Sequence, residues 1–77
     1  MKFLYQSMGG SDPKVRDLAQ QLCKLFEPLE FSGPAHLVET LKDYSKKHKL
    51  NLTMGMHSGI VNVHGETGIL LRIRSMN

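Results

Sequence analysis

From Leu50 to Met76 the chain reads LNLTMGMHSGIVNVHGETGILLRIRSM, an alternation of apolar and polar residues broken only by two turn signals. Apolar side chains fall at Leu50, Leu52, Met54 and Met56, then at Val61 and Val63, then at Ile69, Leu71 and Ile73. A period of two is that of a half-buried strand, so the run predicts three strands sharing one buried face. Ser58-Gly59 suits a two-residue hairpin turn, which sets Met56 opposite Val61 and Met54 opposite Val63. Glu66-Thr67-Gly68 suits a three-residue loop with Gly68 left-handed, which pairs Val63 with Leu71 and Val61 with Ile73. Both turns give one apolar face, as register demands.

The same registers define the opposite face. Asn62 falls between Gly55 and Arg72, His64 between Thr53 and Leu70, and Arg74 beside Ile60. His57, Asn62, His64, Arg72 and Arg74 therefore surround an apolar strip of Ile60 and Leu70.

The first half of the chain supplies what covers the buried face. Lys2 to Ser7 is rich in β-formers and ends at a Met8-Gly9-Gly10-Ser11 breaker, a short first strand whose facing and place in the sheet stay open because its middle is apolar on both sides. Asp12-Pro13 opens a helix, with the carboxylate placed to accept from first-turn amides and proline where a missing N–H costs nothing. Val15, Leu18, Ala19, Leu22, Leu25 and Phe26 form its apolar stripe, and it stops near Glu27, before Pro28. Leu29 and Phe31 in the connector are expected to tuck beneath the helices. Ser32 or Gly33 caps a second helix with Pro34 in its first position and Leu37, Val38, Leu41, Tyr44 and His48 on its stripe. Lys46, Lys47, His48 and Lys49 close it, where cations stabilise the carbonyl end by roughly 0.3 to 1 kcal/mol.

These elements predict a single α+β domain over residues 1–77, ordered β-α-α-β-β-β, with two helices packed on one face of a mostly antiparallel four-stranded sheet and the other face open. The expected core is Val15, Leu18, Leu22, Phe26, Leu37, Val38, Leu41, Leu52, Met54, Val61, Val63, Leu71 and Ile73.

Several function classes lose support. One cysteine, Cys23, permits no internal disulfide and no cysteine metal cluster, which together with a short, glycine-ended N-terminus points to a cytoplasmic protein without a membrane segment. Gly9-Gly10 precedes a helix but matches no phosphate-loop pattern, and Asp12 places negative charge at that helix start. A histidine pair would suit acid–base chemistry or a metal, yet His57 faces Ile60, four residues from His64, so the imidazoles stand roughly 13 Å apart along the strand. No catalytic set, metal site or cofactor is therefore assigned, and an enzyme is disfavoured. A small RNase-like toxin using His57 or His64 stays as a minor alternative.

The net charge of +3 welcomes an anionic partner. The leading expectation is a regulatory binding module whose open face engages RNA or DNA through Arg72, Arg74, His57, Asn62 and His64, with Lys46, Lys47 and Lys49 adding a less specific field and Phe3 or Tyr5 available for stacking. The alternative is a protein-interaction or inhibitor module, including self-association, through the same face or a sheet edge.

Overall fold

A computed structural model of the chain describes residues 1–76. The order is β1 (Phe3–Ser7), α1 (Pro13–Phe26), α2 (Pro34–Lys47), β2 (Thr53–His57), β3 (Ile60–Gly65) and β4 (Gly68–Ser75). All four strands form one antiparallel sheet in the order β1-β4-β3-β2. Helix α1 packs over β1 and β4, and α2 over β2 and β3. The two helices thus bridge the sheet from one edge strand to the other, and among the described residues nothing covers its second face.

Local chemistry starts and stops the helices as expected. Asp12 accepts from the Lys14 amide at 3.0 Å and Pro13 follows as the first helical residue. Gly9 lies so close to α1 that a Cβ there would stand 2.8 Å from the Arg16 backbone, so this glycine serves helix–loop packing. Gly33 is the cap of α2, and the Ser32 amide donates to His36 Nδ1 at 3.2 Å.

The end of α2 is more unusual. The Leu50 amide donates to the Ser45 carbonyl at 2.8 Å and the Lys49 amide to the Lys46 carbonyl at 3.3 Å, the paired bonds of a Schellman motif. Its left-handed position, normally glycine, is Lys49 at φ 54°. Buried Ser45 adds an Oγ–H bond to the Leu50 carbonyl at 2.6 Å, tying the helix end to the segment entering β2. We expect Lys49→Gly to stabilise the fold by about 0.5 to 1 kcal/mol by relieving that backbone strain, read as a rise of several degrees in Tm.

One core joins the layers. Leu22, Phe26, Leu37, Leu41, Val61, Val63, Leu71 and Ile73 are buried, while Val15, Leu18, Val38, Leu52 and Met54 pack partly exposed around them. Phe3, Ala19, Phe31 and Leu70 complete it. Leu25 and Leu29, expected inside, are about half exposed because they lie on the outer side of the helix pair, beside Lys47 and Tyr44.

The β3–β4 connection departs from expectation. Gly65 pairs with Gly68 across a two-residue turn, His64 pairs with Ile69, and Val63 pairs with Leu71. The extra residue expected in the loop is instead a bulge at Leu70, so pairing beyond Val63 is unchanged. The bulge turns Leu70 inward to 2 % exposure and leaves Ile69 beside His64 on the open face. Space for Leu70 comes from Gly65, where a Cβ would meet the leucine side chain at 3.2 Å. Full burial of a leucine contributes roughly 1.5 to 3 kcal/mol, which offsets the local break in the ladder.

The structure also settles β1. Phe3 and Tyr5 face the helices, and Leu4 and Gln6 face outward beside Arg74 and Arg72. The Tyr5 hydroxyl is buried without a hydrogen-bond partner among the described residues, and its pKa is pushed up to about 12, first by desolvation and then by nearby Cys23 and Glu27. Burial likewise pushes the Cys23 thiol up, with Glu27 adding to it. Because ionising Tyr5 disfavours the folded state, its contribution to stability is complete below pH 10 and lost as pH rises towards 12. Alkaline unfolding monitored with the phenolate absorbance should therefore show a late-titrating tyrosine, absent in Tyr5→Phe, whose denaturation midpoint shifts less over that interval.

Candidate functional site

Three cross-strand rows make the open face. Leu4, Arg74, Ile60 and His57 form the first, Gln6, Arg72, Asn62 and Gly55 the second, and Ile69, His64 and Thr53 the third. Arg72, Arg74, His57, His64, Gln6 and Thr53 are exposed, whereas Ile60, Asn62 and Ile69 are half-buried between them. All five expected face residues, His57, Asn62, His64, Arg72 and Arg74, are thus brought onto one surface. The apolar strip around them is Leu4, Ile60 and Ile69; Leu70, placed there by uninterrupted alternation, belongs to the core.

The electrostatics of this surface are one-sided. None of the seven acidic residues lies in a strand: Asp12, Asp17, Glu27, Glu39 and Asp43 belong to the helices and their caps, Glu30 to the connector and Glu66 to a turn. Lys2 precedes β1 by one residue and its carbonyl accepts from the Met76 amide at 3.3 Å, so continuing the alternation of Leu4 and Gln6 assigns this exposed lysine to the same side as the two arginines. The sequence alone did not reveal it because the facing of β1 was unsettled.

Asn62 stands at the centre of the face. Its Oδ1 is buried without a hydrogen-bond partner among the described residues, a state that costs roughly 1 to 3 kcal/mol.

The C-terminal lysines of α2 do not join the face. Lys46 lines a groove between α2 and β2, and Lys47 lines a groove with Leu25 and Leu29. Lys49 lines a cleft of about 320 Å³ with Lys14, Val15, Leu18 and Leu70. Close in sequence, these exposed side chains border three different depressions and contribute a diffuse field.

The aromatic residues are also elsewhere. Phe3, Phe26, Phe31 and Tyr44 form a chain of ring contacts with centroids 5.6 to 6.4 Å apart, and Tyr5 packs against the same core. These are all five aromatic residues of the chain, so none is left on the open face to stack a base. The expectation that Phe3 or Tyr5 offers a stacking platform is corrected accordingly. His36 contacts Phe31 and His48 lies 4.2 Å from Tyr44 by ring centroid, which leaves His57 and His64 as the histidines of the face. The latter two sit in different rows, four β3 positions apart.

No protein-family model matches the chain, and no match is found among curated proteins or solved structures. The fold itself defines a small α+β domain with one helix-covered and one uncovered sheet face. Among the described residues, no helix is long and apolar enough to cross a membrane.

Proposed function

We propose that the protein is a small non-enzymatic binding module, regulatory and acting in the cytoplasm, whose uncovered sheet face engages the phosphate backbone of RNA or DNA. One observation carries this reading: a bare face with Arg72 and Arg74 alternating on a central strand and no acidic residue in any strand. Guanidinium groups offer forked donors suited to phosphate, and their planes can also stack on bases where aromatic rings are lacking. The orphaned Asn62 oxygen fits the same reading, since stability given up at the centre of an exposed face is a common mark of a functional surface.

Such binding is dominated by charge and indifferent to sequence. With Lys2, Arg72 and Arg74 on three phosphates of a single strand, the logarithm of affinity should fall against that of salt with a slope of roughly −2. Fluorescence anisotropy with mixed-sequence single-stranded RNA and DNA between low and physiological salt measures this directly. Salt-insensitive binding, or none to any nucleic acid, removes the proposal.

A second reading, a protein partner with an acidic surface, is favoured by Leu4, Ile60 and Ile69 interleaving with the arginines, because interfaces combine apolar area with arginine. Co-purified material that survives nuclease and shows a protein-like absorbance ratio selects it. The RNase-like alternative rests on one histidine at a time; it requires RNA cleavage that disappears in His57→Ala or His64→Ala while binding persists.

A further inference from the structure

Strand β2 ends the sheet with a bare edge. Its sequence, Thr53-Met54-Gly55-Met56-His57, has no proline, no lysine and no acidic residue, the devices by which edge strands usually discourage pairing. The other edge is treated differently. There the Phe31 amide donates to the Met1 carbonyl at 3.1 Å, laying the connector beside the start of β1, and Lys2 adds charge. We infer that β2 pairs antiparallel with β2 of a second copy about a two-fold axis at Gly55, giving a dimer with one continuous eight-stranded sheet.

The register follows from hydrogen-bond alternation. Ser58 and Gly59 both have positive φ, 52° and 76°, in the two-residue turn between His57 and Ile60. In such a hairpin the residues flanking the turn bond to each other, so His57, Gly55 and Thr53 direct their backbone groups towards β3. Met54 and Met56 then direct theirs to the free edge. Met-Gly-Met reads the same in both directions, so pairing centred on Gly55 sets Met54 against Met56 of the copy and Met56 against Met54. Each pair exchanges two backbone bonds, four in all, and nothing is left over on either side.

Side chains agree with this register. Met54 and Met56 lie on the helix side of the sheet, where Met56 is 51 % exposed because α2 does not reach over it. In the dimer the four methionines form one apolar cluster on the helix side of the joined sheet, between the two α2 helices. The groove alongside is lined by Glu39, Lys42, Asp43 and Lys46, two acids and two bases, so a copy meets no field of one sign. Gly55 has only open space where a Cβ would stand and no positive φ, hence no reason within the chain to be glycine. Glycine inside a strand often marks the close approach of another backbone, and Gly55 faces its own copy at a position where Cα atoms come within about 4.5 Å. Both open faces then lie on the same side of the joined sheet. The inference stands independently of what that face binds.

Sedimentation equilibrium of the full chain up to about 0.2 mM tests it. The expected mass is twice the 8.7 kDa of one chain, without larger species, since symmetric pairing consumes the bare edge. Met56→Lys places an unpaired ammonium in the methionine cluster and should weaken association roughly a hundredfold, with an unchanged circular dichroism spectrum. Leu4→Lys, on the opposite edge strand, should leave the dimer intact. Hydrogen exchange of the wild-type chain gives a readout independent of any variant: the Met54 and Met56 amides should exchange slowly when concentrated and fast when diluted, while the Gly55 amide stays protected throughout. A wild-type monomer at the highest concentration, open-ended oligomers, a dimer broken by Leu4→Lys, or fast exchange at Met54 and Met56 in the dimer each overturn the proposal.

Discussion

Changing Arg72 and Arg74 together to alanine is expected to lower affinity for a single-stranded oligonucleotide about a hundredfold at low salt, with the fold unchanged. Each guanidinium on a phosphate makes a charge-assisted contact worth roughly 1.5 kcal/mol, about tenfold in affinity, and the two are far enough exposed to act separately. Both side chains are exposed on β4, so their removal should alter stability by no more than about 0.5 kcal/mol. The salt dependence carries more information than the affinity alone. Losing two phosphate contacts should flatten the slope by about 1.4, leaving the share due to Lys2. Changing Lys46, Lys47 and Lys49 to alanine should weaken binding only slightly and equally for all sequences, because these exposed side chains border three separate depressions away from the three cross-strand rows of the open face. If the lysine variant loses binding and the arginine variant keeps it, the partner lies on the helix layer and the sheet face has another use.

That contrast bears on how the face could be read from sequence. Alternation brings His57, Asn62, His64, Arg72 and Arg74 together because the Ser58-Gly59 turn sets one register and the bulge at Leu70 cancels the one-residue difference in the β3–β4 turn, leaving the pairing from Val63 to Ile60 as expected. The lysines at the end of α2 are under no such constraint. A helical run spreads successive side chains around the axis, so proximity in sequence does not create a patch. Facing of β1 was undetermined for another reason. Phe3, Leu4 and Tyr5 are consecutive and apolar, and only the position of β1 beside β4, with α1 above, decides that Phe3 and Tyr5 turn in and Leu4 out. With the aromatic rings turned inwards, β1 presents Leu4 and Gln6 to the open face and no group that could stack on a base.

The Ile69-Leu70-Leu71 run separates the two descriptions of β4 by a large energetic margin. Uninterrupted alternation buries Ile69 and exposes Leu70; the bulge reverses both while keeping Leu71 inside. No polar residue in the run marks the outward position, so composition is silent and the decision falls to packing. Leu70 fills the space above Gly65 and lines the cleft with Val15 and Leu18, and its carbonyl accepts from the Met8 amide at 2.7 Å. Leu70→Ala should therefore cost about 2 to 4 kcal/mol, through lost transfer free energy and the cavity left behind. Ile69→Ala, at a half-buried position on the open face, should cost less than about 1 kcal/mol. A chain of 77 residues has a total stability of roughly 4 to 12 kcal/mol, so the first variant approaches unfolding and the second does not. Urea denaturation midpoints of the two variants measure the difference directly. Gly65→Ala supplies the complement: the added methyl must displace Leu70 and should destabilise the fold by about 1 kcal/mol or more, but should cost much less when Leu70 is already alanine. Equal costs for Leu70→Ala and Ile69→Ala, or strict additivity with Gly65→Ala, would mean that the turn closes with three residues, that Leu70 lies beside His64, and that the apolar strip of the open face has to be redrawn around it.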